Sequence, residues 1–334
     1  MAVEVGGVKR QDGLDEVAAV VQRLAVLLAS GVAPGSAFEQ LASSASSTAP
    51  GAAARRRLLR AVALDAAQGE DVTAAILRGA PASRGRRERR RRRRDSGEEA
   101  GWAALAASWR VASDSGAPIA AALGELAESL RELARARRDI DVALAGPAAT
   151  GRVVSALPLV ALGFGSLLGF DVAGVLIGTA PGLACLGGGG VLMLAAQLWT
   201  GRLVRGADPG DPAPGLALDL LAVGLAGGGS IDRARDQVVA ALGECALVAD
   251  PRALEAAEPV LALSSAAGVP AGRLLRSEAA LTRVRAAGRA RERAARLGVT
   301  LMLPLGVCVL PAFLLLGVAP LVISVLLSTF SVAG

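Results

Sequence analysis

An all-α fold is what this sequence predicts: a polytopic membrane protein carrying two repeated cytoplasmic helical-bundle domains. Three observations lead there. The chain is 53% hydrophobic yet only 2% aromatic and holds 41 glycines, a mixture that suits helices packed closely through small side chains and argues against a pleated sheet. Two long stretches are almost free of charge. Outside them, apolar residues recur with the 3.6-residue period of one-faced helices.

Residues 1–11 read as an N-terminal tail and 12–152 as a first cytoplasmic helical domain. Within it Val17, Val20, Val21, Leu24, Leu27 and Leu28 follow the i, i+3, i+4, i+7 rule, and the helix stops at Gly31. Pro34 then suits the first turn of the next helix, with Phe38 and Leu41 on its inner face. The same punctuation returns at Ser115-Gly116-Ala117-Pro118, after which Ile119, Leu123, Leu126, Leu130 and Leu133 form a heptad-like stripe. Between the two hairpins lies 79–100, whose Arg-rich core, Arg86 to Arg94, cannot be packed and reads as a disordered loop.

Residues 153–201 contain a single charged side chain, Asp171, and 297–334 contain none. Each stretch exceeds the roughly 20 residues that a spanning helix requires. The first is too long for one helix and reads as a transmembrane hairpin, Val153 to Gly169 outward and Val172 to Trp199 back, turning at Asp171. The second, with Pro304, Pro311 and Pro320, reads as a C-terminal transmembrane segment that is kinked and tilted, preferentially a single span. Of the 36 Lys and Arg residues, 23 fall in 1–152 and 13 in 201–296. None lies in a span, where an arginine costs roughly 2.5–3.5 kcal/mol, and the positive-inside rule puts both polar regions in the cytoplasm. No secretory signal is visible at the N-terminus.

Residues 202–213 are a Gly, Pro and Asp-rich linker, and 214–296 form a second cytoplasmic helical domain that repeats the first. Leu221 to Gly228 matches Leu24 to Gly31 position by position, and Ala267-Gly268-Val269-Pro270 echoes Ser115-Gly116-Ala117-Pro118. Each half then passes through an Arg-rich helix into an apolar span with an early proline, Pro158 or Pro304. The structural turn residues expected to shape the chain are therefore Gly31, Pro34, Gly116, Pro118, Gly268, Pro270, Pro158 and Pro304.

Catalytic chemistry finds little footing. The chain has no histidine and no tyrosine, and Cys185, Cys245 and Cys308 stand too far apart for a zinc or disulfide pattern. No catalytic residue, cofactor or metal is expected. Gly187-Gly188-Gly189-Gly190 lacks the Lys-Ser/Thr of a phosphate loop and reads as close helix packing. Asp171 has no second carboxylate for aspartyl peptidase chemistry and reads as an exposed turn residue. The arginine run has no interleaved aromatics for stacking on bases, so no nucleic-acid partner is expected. Membrane lipid remains open to it, since basic segments gain about 1 kcal/mol per residue near an acidic leaflet.

The stretch Leu24 to Pro34, the turns at Gly116-Ala117-Pro118 and Gly268-Val269-Pro270, and Leu303 to Leu315 together resemble the F-domain family of type II secretion and type IV pilus platform proteins, in particular the tight-adherence branch called TadB and TadC. The resemblance implies a non-enzymatic, multi-pass protein of the bacterial inner (plasma) membrane. Its implied partners are a secretion ATPase, prepilin-like subunits, and paralogous or identical platform subunits. A membrane scaffold or sensor docking anionic lipid or proteins through Arg-rich helices is the alternative.

Overall fold

The computed structural model describes residues 12–44, 51–80, 92–167, 172–206, 213–247, 254–320 and 322–323. Every regular element among them is helical. The chain divides into two compact units. Residues 1–138 and 209–288 make up the first, and 139–208 and 289–334 the second.

The first unit holds α1 (Asp12–Ala29), α2 (Pro34–Ser44), α3 (Ala52–Ala67), α4 (Val72–Gly79), α5 (Arg92–Ser115), the start of α6 (Ile119–Leu167), α9 (Leu216–Ala226), α10 (Ile231–Glu244), α11 (Ala257–Ala267) and the start of α12 (Ala271–Thr300). Its centre is α5, where the nine residues from Gly101 to Trp109 are all buried. A helix buried all round needs neighbours on every side, and α1, α4, α9 and α10 supply them. Gly101 lets Val17 of α1 approach, Trp109 meets Phe38 of α2 at 5.8 Å between ring centroids, and Gly224 of α9 sits against Val111. The two polar regions that the sequence reads as successive domains thus share a single hydrophobic core.

Two differences from the sequence reading have local causes. The expected loop 79–100 ends earlier, because α5 begins at Arg92. Glu98 there accepts from Trp102 Nε1 at 3.5 Å and lies 3.8 Å from Arg55, which anchors this turn to the core. Residues 81–91, with most of the arginine run, fall outside the described residues. Helices α3 and α4 have no counterpart in the sequence reading. Arg55 of α3 is buried and bonds Glu16 of α1 at 2.7 Å, so a charged residue occupies an inward position that periodicity assigns to solvent.

The second unit contains the distal parts of α6 and α12, together with α7 (Val172–Gly178), α8 (Ala180–Gly206), α13 (Met302–Pro304) and α14 (Leu310–Phe313). The expected turn at Asp171 lies outside the described residues. The returning arm is divided at Thr179, whose hydroxyl accepts from the Gly182 N–H at 3.1 Å and caps α8 ahead of Pro181. After α12, Pro304 and Pro311 each withdraw an N–H from the helical ladder. The chain responds with two wider π-helical turns, Leu305–Val309 and Leu314–Val318.

Helix α8 packs antiparallel on this terminal stretch. A Cβ on Gly188 would touch Leu315 at 3.4 Å, one on Gly189 would meet Leu316 at 2.4 Å, and Ala196 is buried with Cys308 and Val309. Glycine here permits close approach. Among the described residues, two helical stretches are long and apolar enough to cross a bilayer, Ala180–Leu203 and Ala271–Val318. Leu194, Leu198, Val307 and Leu310 are each more than half exposed in the second unit. Large apolar side chains left exposed on both helices suit lipid far better than water, and they suggest a membrane protein.

Candidate functional site: a charged seam between α6, α9 and α12

Helices α6 and α12 start from equivalent turns. Gly116 and Gly268 both take left-handed conformations, with φ of +73° and +64°, and Pro118 and Pro270 follow them just ahead of the helices. The helices therefore run in the same direction at matching heights, and charged residues of one meet those of the other every two turns. Arg276 Nε donates to Glu125 at 2.7 Å, and one heptad on Arg283 Nε donates to Glu132 at 2.7 Å. Further along, within the second unit, Arg291 pairs with Asp139.

The middle rung is the elaborate one. Arg283 Nη1 also donates to Asp219 of α9 at 2.7 Å, and the Ser129 hydroxyl of α6 donates to the same carboxylate oxygen at 3.1 Å. Gly215 makes this possible. Its φ of +82° starts α9, and a Cβ there would stand 2.7 Å from the Ala279 carbonyl of α12. One helical turn beyond that contact on each helix lie Asp219 and Arg283, which therefore face each other.

Burial decides the energetics. Arg283 and Asp219 keep only 13% and 14% of their side-chain exposure, while Glu132 keeps 41%. Burial pushes the Asp219 carboxyl above the usual aspartate range; the Arg283 charge and the Ser129 hydrogen bond act against it without cancelling it. A small apolar cleft bounded by Ala104, Leu126, Leu130 and Leu216 adjoins the pair. Apart from Ser129, its lining offers no further polar side chain to the pair.

A second charged junction joins the two polar regions at another point of the first unit. Arg110 of α5 bonds Asp114 at 2.9 Å and Asp71 at 3.1 Å, and lies 3.9 Å from Glu244 of α10. Asp71 simultaneously caps α4, accepting from the Thr73 N–H at 2.8 Å. Close by in sequence, Cys245 is buried and its thiol is pushed up to about 11, chiefly by that burial.

The expected turn residues fall as follows. Gly31 has φ of +85°, and Pro34 opens α2. In the second region Gly228 takes the left-handed position with φ of +84°, and Ser230 replaces the proline, its hydroxyl capping α10 through the Arg233 N–H at 3.3 Å. Pro304 is buried and precedes the first π-helical turn. Pro158 lies inside α6, in a stretch whose side chains are outside the described set. No cluster of three or more Cys, Asp or Glu side chains able to hold a metal occurs among the described residues. The seam is absent from the sequence reading, although acids at 125, 132 and 139 and arginines at 276, 283 and 291 repeat with near-heptad spacing.

Residues 20–167 match the model of the type II secretion system (T2SS), protein F family. The matched span runs from within α1 to the last residue of α6 and includes Glu125, Ser129 and Glu132. Residues 20–167, somewhat under half of the chain, are similar to that family. No curated protein and no solved structure matches the chain. Members of that family are inner-membrane associated and are generally non-catalytic platforms that work within secretion machinery. The matched span supplies one wall of the seam; Asp219, Arg276 and Arg283 lie beyond it in sequence.

Proposed function

We propose that this chain is a non-enzymatic, multi-pass inner-membrane platform of a tight-adherence (TadB/TadC-like) pilus or type II secretion assembly system, with both polar regions in the cytoplasm. In this role it couples a cytoplasmic secretion ATPase to the assembly of prepilin-like subunits, in company with paralogous or identical platform subunits. The similarity of residues 20–167 to the type II secretion protein F family is the observation that carries the reading. The confinement of all 36 basic residues to the polar regions supports the topology.

The seam gives this reading a physical element. Force delivered by an ATPase to the cytoplasmic unit acts on α6 and α12 together, because Arg276 and Arg283 tie them at two heights. Both helices continue toward apolar sequence, so a paired displacement is the motion such a link favours over independent sliding.

Detergent-extracted, tagged protein should co-purify with the secretion ATPase encoded in the same cell, and deletion of the gene should abolish surface pili. Salt-sensitive liposome binding by the protein with no ATPase captured would favour the lipid-docking scaffold instead.

A further inference from the structure

In the second unit, one face of the last helix changes character along its length. At 100° per residue, Arg289, Arg293 and Arg296 share a stripe of α12 that leads toward Leu303, and Val307 and Leu310 follow on and just beyond the first π-helical turn. All of these side chains are exposed. Helix α8 shows the mirror-image change, with Val191, Leu194 and Leu198 exposed and then Arg202 exposed at the same helical spacing.

The antiparallel register aligns the two changes. Gly188 lies by Leu315, Gly189 by Leu316 and Ala196 by Cys308, which sets Arg202 near the level of Met302. From that level Arg296 lies about 9 Å and Arg293 about 13 Å outward at 1.5 Å per residue. The polar headgroup layer is roughly 5–8 Å deep on each side of a bilayer, and a long arginine side chain reaches several ångströms along its helix. Arg202, Arg293 and Arg296 therefore fall within or beside one headgroup layer.

Their charge is largely uncompensated. Asp139 takes Arg291 and Glu292 takes Arg296 at 2.7 Å with both partners well exposed, while Arg202 and Arg293 have no ion-pair partner among the described residues. A guanidinium that is exposed and unpaired beside an apolar surface is suited to a phosphate ester, which it can bind with two parallel N–H donors.

We infer that Arg202, Arg293 and Arg296 form a belt that binds anionic phospholipid headgroups at one face of the membrane. This inference rests on α8 and the terminal helix being embedded in lipid, as the proposed function requires. Neutral lipid offers the same phosphate but cancels its charge with an ammonium group, so phosphatidylglycerol should be retained in preference to phosphatidylcholine.

The test uses the full-length protein, extracted from membranes and reconstituted into nanodiscs of phosphatidylcholine with phosphatidylglycerol, followed by native mass spectrometry of the lipid that stays bound. Wild type should enrich phosphatidylglycerol by up to about fivefold per arginine at low salt. The triple variant Arg202→Gln, Arg293→Gln, Arg296→Gln should lose that enrichment. Replacing the same three residues by lysine should keep most of it, which separates lost charge from lost folding. A control triple at Arg57, Arg60 and Arg233, also exposed but outside α8 and the helices from α12 onward, should behave as wild type.

Membrane-recovered wild type with no preference for the anionic lipid overturns the belt, as does equal loss in the control triple. Recovery of wild type in the soluble fraction without detergent overturns the membrane reading along with it.

Discussion

Arg283→Ala is the substitution that interrogates the seam most directly. It leaves the Asp219 carboxylate 14% exposed, held by the Ser129 hydroxyl alone among its hydrogen-bond partners at 3.1 Å. Removing one partner of a buried ion pair costs ~3–5 kcal/mol. Asp219 can escape part of that cost by taking up a proton, which burial already favours, so the lower end, about 3 kcal/mol at neutral pH, is expected. Asp219→Asn keeps the shape and both hydrogen bonds while Arg283 retains Glu132, and should cost only about 1 kcal/mol. Combining Arg283→Met with Asp219→Leu should cost less than the two single changes together, by about 2 kcal/mol.

The pH dependence has a definite sign. The folded pKa of Asp219 lies above its unfolded value, so its contribution to stability falls as pH rises through the folded pKa and is recovered as pH drops toward the unfolded one. Losing Arg283 removes a lowering influence, so Arg283→Ala should steepen that dependence and Asp219→Asn should abolish it. Urea unfolding in detergent micelles, followed by tryptophan fluorescence, reads this out, since Trp102 and Trp109 are buried in the same core. Strict additivity of the two changes, or a loss under 1 kcal/mol for Arg283→Ala, would show that the seam is a solvated surface pair.

Three further outcomes test other contacts. Gly227→Ala puts a Cβ 1.9 Å from the Ser115 carbonyl and should lower the unfolding midpoint by the equivalent of several kcal/mol, whereas Gly229→Ala, with nothing closer than 3.9 Å, should change it by less than about 1 kcal/mol. In the second unit, Gly189→Val should push α8 away from Leu316 and reduce thermal stability in detergent, while Gly187→Ala, which meets nothing within 4 Å, should not. Cys245 should resist iodoacetamide in the native protein at pH 8, where about one thiol in a thousand is ionised at a pKa near 11, and react on denaturation.

Much of the helical plan was legible because it follows from punctuation and period. Leu24 to Pro34 reads as stop and start because glycine tolerates the left-handed end and proline fixes the next first turn. The stripe Ile119 to Leu133 reads as an inner face, and Leu123, Leu126 and Leu130 are indeed buried, with Ile119 and Leu133 packed against the same core. Helix α3 was not legible. Its Arg55 points inward to Glu16 and Glu98, 39 and 43 residues away, and no local window contains those partners. The seam escaped for the same reason, since Glu125 and Arg276 meet only once two equivalent turns have set both helices at one height.

Helix α9 explains why the polar regions share one core. From Leu216 to Gly224 every residue except Asp219 is buried, so this short helix is apolar around its whole circumference. Such a helix cannot lie on the surface of a small bundle. One side is covered by α10 of its own region, and the side against Val111 and Ser115 is covered by α5 of the other. Asp219, the one charge on α9, is where the helix turns toward both long helices, and it is neutralised by α12 and hydrogen-bonded by α6 at the same oxygen. A single buried carboxylate thus fixes the rotation of an otherwise featureless apolar helix. Any slip of α9 by one residue would swing Asp219 by about 100° into hydrocarbon, a cost that holds the three helices in one register.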